Sequence, residues 1–74
     1  MANIKTNNGE DKRILNSSYQ PNRGPGLPAG TLLIIKKANY SAYEVDYTTP
    51  YGAYGQFVAN QEDILNLQSV SRSQ

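Results

Sequence analysis

The sequence predicts a mostly β domain built on an antiparallel meander. Tyr43, Val45, Tyr47 and Thr49 alternate with Glu44, Asp46 and Thr48, the period of two expected of a strand with one buried face and one wet face. Leu32 to Ile35 form a continuous apolar run, bounded too closely by Gly30 and by Lys36-Lys37-Ala38-Asn39 to be a helix. Between Thr49 and Ala53, Pro50 supplies the fixed φ of a type I turn and Gly52 the left-handed residue that closes a three-residue hairpin.

Taken in order, Met1 to Asp11 are polar, with Asn8-Gly9 as a turn signal, and read as a solvated tail. Residues 12–20, KRILNSSYQ, are a candidate first strand anchored by Ile14, Leu15 and Tyr19. Residues 21–29, PNRGPGLPA, carry three prolines and two glycines, which exclude both a helix and a central strand and leave a long loop. Pro25-Gly26-Leu27-Pro28 within it is a minimal PxxP, but the glycines weaken the polyproline II preference that an SH3-type ligand needs.

The meander follows as strands at about 31–37, 42–49 and 53–59. The run Leu32 to Ile35 implies a strand covered on both faces, and the Asn39-Tyr40-Ser41 loop leaves the register of the first hairpin open. The second hairpin is better determined. Pairing Thr49 with Ala53 sets Tyr47 opposite Gly55 and Val45 opposite Phe57, an aromatic over a strand glycine and a β-branched residue facing an aromatic.

Asn60 is a good N-cap for a short helical turn at about 61–67, with Glu62 and Asp63 where carboxylates favour the free amides and the helix dipole. Ile64 and Leu67, three apart, would then cap one end of the sheet. Leu67 to Val70 is a candidate last strand, and residues 71–74 read as a polar tail. The domain is thus expected over 12–70, between tails at 1–11 and 71–74. An α+β arrangement, with three strands and one longer C-terminal helix, is the alternative.

This succession of a first strand, a long Gly/Pro loop, three hairpin-linked strands, a helical turn and a short final strand resembles the SH3-like small β-barrels. The residues that carry the likeness are Leu32 to Ile35, Tyr43 to Thr49, the Thr49 to Ala53 hairpin and the Asn60 to Leu67 turn. It lies in element order and lengths only. The Ala-Leu-Tyr-Asp-Tyr motif and groove tryptophan of signalling SH3 domains are absent, so their peptide-binding mode is not implied.

Composition narrows the function. The 74 residues include no cysteine, so no disulfide framework, and no histidine, so a structural zinc site of the usual ligands is not expected. A small domain without such staples often gains stability by self-association, and a homo-oligomer is expected. The formal charge of +1 is not the footprint of a dedicated nucleic-acid binder. No apolar stretch approaches a membrane span and MANIKTNNGEDKR has no signal-peptide core, which points to a cytoplasmic protein.

Acid–base chemistry without histidine or cysteine would fall to carboxylates, tyrosines or lysines. Glu44 and Asp46 lie on one strand face about 7 Å apart, a spacing that suits a hard cation or a divided acid–base pair. It suits better a solvated strand face paired to Lys36 or Lys37 next door. The glycines at 24, 26 and 30 alternate with prolines before a strand, which is not a phosphate loop. No catalytic, metal or cofactor site is read.

The tyrosines stand above background, five of the six falling between Tyr40 and Tyr54. Tyr43 and Tyr47 belong to the inward face. Tyr40, Tyr51 and Tyr54 fall at hairpins or on the other face, where exposed tyrosine makes a rigid amphipathic anchor. With Arg23, Lys36 and Lys37 they form the candidate binding residues. The sequence therefore supports a non-catalytic binding module engaging a protein partner through Tyr-rich hairpins, of a kind seen in small phage or bacterial accessory and inhibitor proteins. The alternatives are a homo-oligomer holding a small anionic ligand or nucleotide between subunits, and a single-stranded nucleic-acid binder using stacked tyrosines and basic contacts.

Overall fold

The computed structural model describes residues 10–39 and 41–74. Among these residues five antiparallel strands form one sheet: β1 (Glu10–Leu15), β2 (Leu32–Lys37), β3 (Tyr43–Thr48), β4 (Tyr54–Ala59) and β5 (Ser71–Ser73), with one helix, α1 (Gln61–Ser69), between β4 and β5. Their order in the sheet is β4-β3-β2-β1-β5. The three-stranded meander is the expected one, and no strand end differs from the sequence reading by more than one residue. The sheet stays open, with β4 and β5 as its two edges.

One face of this sheet builds the core. Leu15, Leu33, Ile35, Val45, Phe57 and Ala59 are buried on it, together with Ile64 and Leu67 of α1 and Leu27 from the long loop. Each fully buried aliphatic or aromatic side chain contributes roughly 1.5–3 kcal/mol relative to exposure. The expectation that β2 is covered on both faces is corrected: Leu33 and Ile35 are buried, whereas Leu32 and Ile34 on the other face are only partly so. Among the described residues no second layer covers that face, and its apolar residues are shielded there by strand neighbours.

Both hairpins have defined registers. Lys37 faces Tyr43 across the first, where the Ala38 and Asn39 amides both donate to the carbonyl of Ala42. In the second, Gly52 N–H donates to the Thr49 carbonyl at 3.1 Å and Gly52 has φ +92°, the left-handed geometry its sequence position demands. Tyr47 pairs with Gly55 and Val45 with Phe57, as expected.

The two ends of the domain depart from the sequence reading. β1 begins at Glu10 and stops at Leu15, so Glu10 and Asp11 belong to the sheet, and Tyr19 enters only an isolated bridge with Leu27. At the other end the helix runs through to Ser69, and it is Ser71 to Ser73, expected as tail, that pairs with β1. Ser-Arg-Ser has no apolar alternation to announce a strand. Its placement comes from tertiary contact: Arg13 Nε donates to Ser71 Oγ at 2.7 Å, Arg13 Nη2 donates to the Ser71 carbonyl at 3.1 Å, and Ser71 Oγ donates in turn to the Leu67 carbonyl.

The long loop is folded rather than irregular. Tyr19 and Leu27 exchange backbone hydrogen bonds of 2.8 Å, which pinch it into a hairpin-like excursion laid over the core face. Leu27 is buried, and Gly24 abuts the Phe57 ring, where an added Cβ would fall 3.0 Å from Phe57 Cγ. The PxxP segment therefore has its Leu27 in the core and its backbone engaged.

Candidate functional site

Two concavities flank the loop, one near each end of the sheet. The larger, of about 770 Å³, lies between the loop and the second hairpin. Tyr19, Leu27 and Pro28 form its loop wall, and Thr49, Tyr51 and Ala53 the hairpin wall. The Gly30 backbone comes close to the Pro50 ring, since a Cβ on Gly30 would fall 3.2 Å from Pro50 Cγ. No ionisable side chain other than tyrosine lines this groove. Tyr51 stands on its rim, 84% exposed.

The hairpin wall is held by its own chemistry. Thr49 Oγ1 accepts from the amides of Tyr51 at 3.2 Å and Ala53 at 3.1 Å, which fixes the loop that carries Tyr51. The loop wall is held from the far side. Tyr19 Oη donates to Asp63 Oδ1 at 3.2 Å and Asn22 Nδ2 donates to the same oxygen at 2.9 Å, tying the excursion to the first turn of α1. Asp63 N–H donates to Asn60 Oδ1 at 2.8 Å, the N-cap read from the sequence. Burial first, and the adjacent Asp63 carboxylate second, raise the Tyr19 pKa above the ordinary phenol value.

The smaller concavity, of about 220 Å³, lies at the opposite end of the sheet between Asn22, Arg23, Ala42, Ala59 and the helix start at Asn60 and Asp63. Arg23 is the cation beside it, but the Asp63 carboxylate lines it too, which offsets any preference for an anion.

The remaining sequence candidates are dispersed. Tyr54 is 81% exposed on β4, one turn of chain beyond Tyr51. Lys36 lies on the open face of the sheet, its Nζ 3.1 Å from Asp46 Oδ2, while Gln56 Nε2 donates to Asp46 Oδ1 at 2.8 Å. The Gln56 hydrogen bond and then Lys36 lower the Asp46 pKa, and the bond to Asp46 raises that of Lys36. Lys37 sits at the end of β2 with Nζ 4.8 Å from the centroid of the Tyr43 ring. Tyr40 lies outside the described residues. The two hairpins are at opposite ends of β3, about 17 Å apart for a strand of that length. Of these candidates only Tyr51 lines the groove; Tyr54 stands on the opposite face of the sheet, with Gln56 and Asp46, and Arg23, Lys36 and Lys37 line neither wall.

Sequence reasoning missed the loop wall. Tyr19 and Pro28 stood in stretches read as a strand end and an irregular loop, and only the isolated aliphatic Leu27 amid prolines and glycines hinted at a buried anchor. Among the described residues no cluster of three or more acidic, histidine or cysteine side chains could hold a metal ion. None of their helices is long and apolar enough to cross a membrane. Comparison with known protein families, curated proteins and solved structures gives no match. What fold and site define is a class: a small open β-sheet domain, braced by one helix, with an uncharged groove beside a rigid hairpin.

Proposed function

We propose that this chain is a non-catalytic binding module that engages a protein partner through the second hairpin, taking an apolar segment of it into the groove beside Tyr51. The observation that carries this reading is the groove's lining. An aromatic rim, a proline and leucine wall and backbone polar groups, without a lysine or arginine, suit an extended peptide better than a nucleotide or a polyanion. Tyr51 loses little conformational entropy on contact, because the Thr49 hydrogen bonds already order its loop. The module acts in the cytoplasm, as a phage or bacterial accessory protein, and associates with copies of itself.

A displayed library of unstructured peptides tests it. Selected ligands should bind the intact chain, lose affinity tenfold or more on Tyr51→Ala or Ala53→Arg, and shift the amide resonances of Leu27, Tyr51 and Ala53. Ligands that shift only residues around Arg23 and Asn60, or binding indifferent to both substitutions, would overturn the groove as the contact site.

A further inference from the structure

Asp63 brings half of a buried carboxylate to the small concavity. The residue is 2% exposed, and its Oδ1 already accepts from Tyr19 Oη and Asn22 Nδ2. Its other oxygen, Oδ2, accepts from no group among the described residues. Every fully buried polar side-chain atom among those residues has a partner, so Oδ2 reaches solvent, and the opening that Asp63 lines is this concavity. With Oδ1 held by two donors, the carboxylate has little freedom to turn Oδ2 towards water elsewhere. Such an oxygen, nearly desolvated and with lone pairs unused, favours a cationic donor. Arg23 lines the same opening, its side chain exposed, and among the described residues it forms no ion pair with Asp63.

We infer that this concavity binds a small free α-amino acid as its zwitterion. The ammonium donates to Asp63 Oδ2, and the carboxylate accepts from the Arg23 guanidinium. Opposite charges in one lining favour neither an anion nor a cation alone, whereas a ligand carrying both satisfies each. Ala42, Val58 and Ala59 supply the apolar part of the lining, which suits a short aliphatic side chain. At about 220 Å³ the space falls below the ~300 Å³ at which sites for drug-sized ligands begin, so a nucleotide is too large for it. A hard cation is a poorer match, because Asp63 brings one carboxylate and the described residues hold no cluster of three acidic side chains. The site shares no lining residue with the groove beside Tyr51 and does not rest on the peptide-binding reading.

Titration of the full chain with L-valine, followed by its amide resonances, tests the inference. L-Valine should shift Arg23, Ala42 and Asn60 saturably, with a dissociation constant on the order of 1 mM for so small a ligand. N-Acetyl-L-valine lacks the ammonium and L-valinamide lacks the carboxylate, and each should bind at least roughly tenfold more weakly. Arg23→Ala removes an exposed side chain and should erase the preference for valine over valinamide. Asp63→Asn keeps an oxygen for Tyr19 and Asn22 and should erase the preference for valine over N-acetylvaline. Circular dichroism shows whether each variant is folded, and the two derivatives with Arg23→Ala decide the matter if Asp63→Asn is not. Valinamide binding as well as valine would leave a plain ammonium site and overturn the zwitterion, and N-acetylvaline binding as well would leave an anion site with the same result. An absence of saturable shifts at roughly 50 mM L-valine would overturn the site itself. None of these outcomes touches the groove, whose peptides are read at Leu27, Tyr51 and Ala53.

Discussion

The phenol of Tyr47 lies across Gly55 on the neighbouring strand, so close that a Cβ built there would fall 2.6 Å from Tyr47 Oη and 2.9 Å from Cζ. The same ring stands 6.1 Å from that of Phe57, centroid to centroid, and packs against the core. Glycine in a strand usually weakens it. Here its missing side chain is the space the tyrosine occupies. Gly55→Ala should therefore destabilise the domain by about 1–3 kcal/mol, as overpacking does. In a Tyr47→Ala background the same change should cost nothing or stabilise slightly, since alanine is the better strand residue once the ring is gone. Urea unfolding of the four chains measures the coupling; additive effects would mean the ring is free to swing away.

The loop depends on a buried carboxylate. Asp63 is 2% exposed and accepts from Tyr19 and Asn22 while its amide serves the N-cap. Asp63→Ala would leave two donors unsatisfied and should cost about 1–3 kcal/mol in urea unfolding at neutral pH.

Tyr19 adds a pH signature to that contact. Its folded-state pKa is raised above the ordinary value of 10.0, so the stability it confers is complete below that value and is lost as pH climbs through the raised one. Tyr19→Phe should therefore show a shallower loss of stability above about pH 10 than the parent chain. Equal slopes would show that the phenol keeps its water contacts in the folded state.

How far the sequence carried the fold varies with the kind of signal each element has. Strand β3 and the Thr49 to Ala53 hairpin were legible because alternation and turn chemistry are local, and the pairings of Tyr47 with Gly55 and Val45 with Phe57 followed from them. The N-cap at Asn60 was legible for the same reason. Strand β5 was not, since Ser71 to Ser73 owe their conformation to Arg13 and to pairing with β1, some 58 positions away in the chain. The half-open face of β2 was missed because an apolar run gives no periodicity from which to tell one covered face from two. Of the candidate site, the exposed rim at Tyr51 was readable; the wall opposite it was not. Tyr19 and Pro28 reach the groove only because the Tyr19–Leu27 bridge and Asp63 fold the loop back, and neither contact has a sequence motif.

The polar row across the open face should be a modest, salt-sensitive contributor. Gln56 and Lys36 hold the Asp46 pKa below the usual carboxylate range, so its contribution is present above about pH 4 and is lost as pH falls through the lowered value. Lys36, with its pKa raised, contributes below about pH 10 and loses that contribution as pH rises further. Between those limits Asp46→Asn should lower the thermal midpoint slightly, and the difference should shrink in roughly 1 M salt because both partners are partly exposed. A difference that persists unchanged at about pH 2 would mean that the asparagine acts by shape and not by charge.

The tip of the second hairpin offers a cleaner separation of backbone from packing. Gly52 has φ +92°, and a Cβ there would meet no atom within 4 Å. Gly52→Ala therefore adds no clash, and its whole effect is the left-handed backbone, about 1–2 kcal/mol for an L-residue. Asparagine, which tolerates that region better, should recover part of the loss. Thr49→Val removes the acceptor shared by the Tyr51 and Ala53 amides without altering Gly52, and should cost less, because those exposed amides can turn to water. Loosening the loop should nevertheless weaken any peptide selected for the groove, since Tyr51 would then have to be ordered on binding. Denaturation of the three variants, set beside their peptide affinities, distinguishes the two roles. If Thr49→Val left affinity intact while Tyr51→Ala abolished it, the ring would matter and its prior ordering would not.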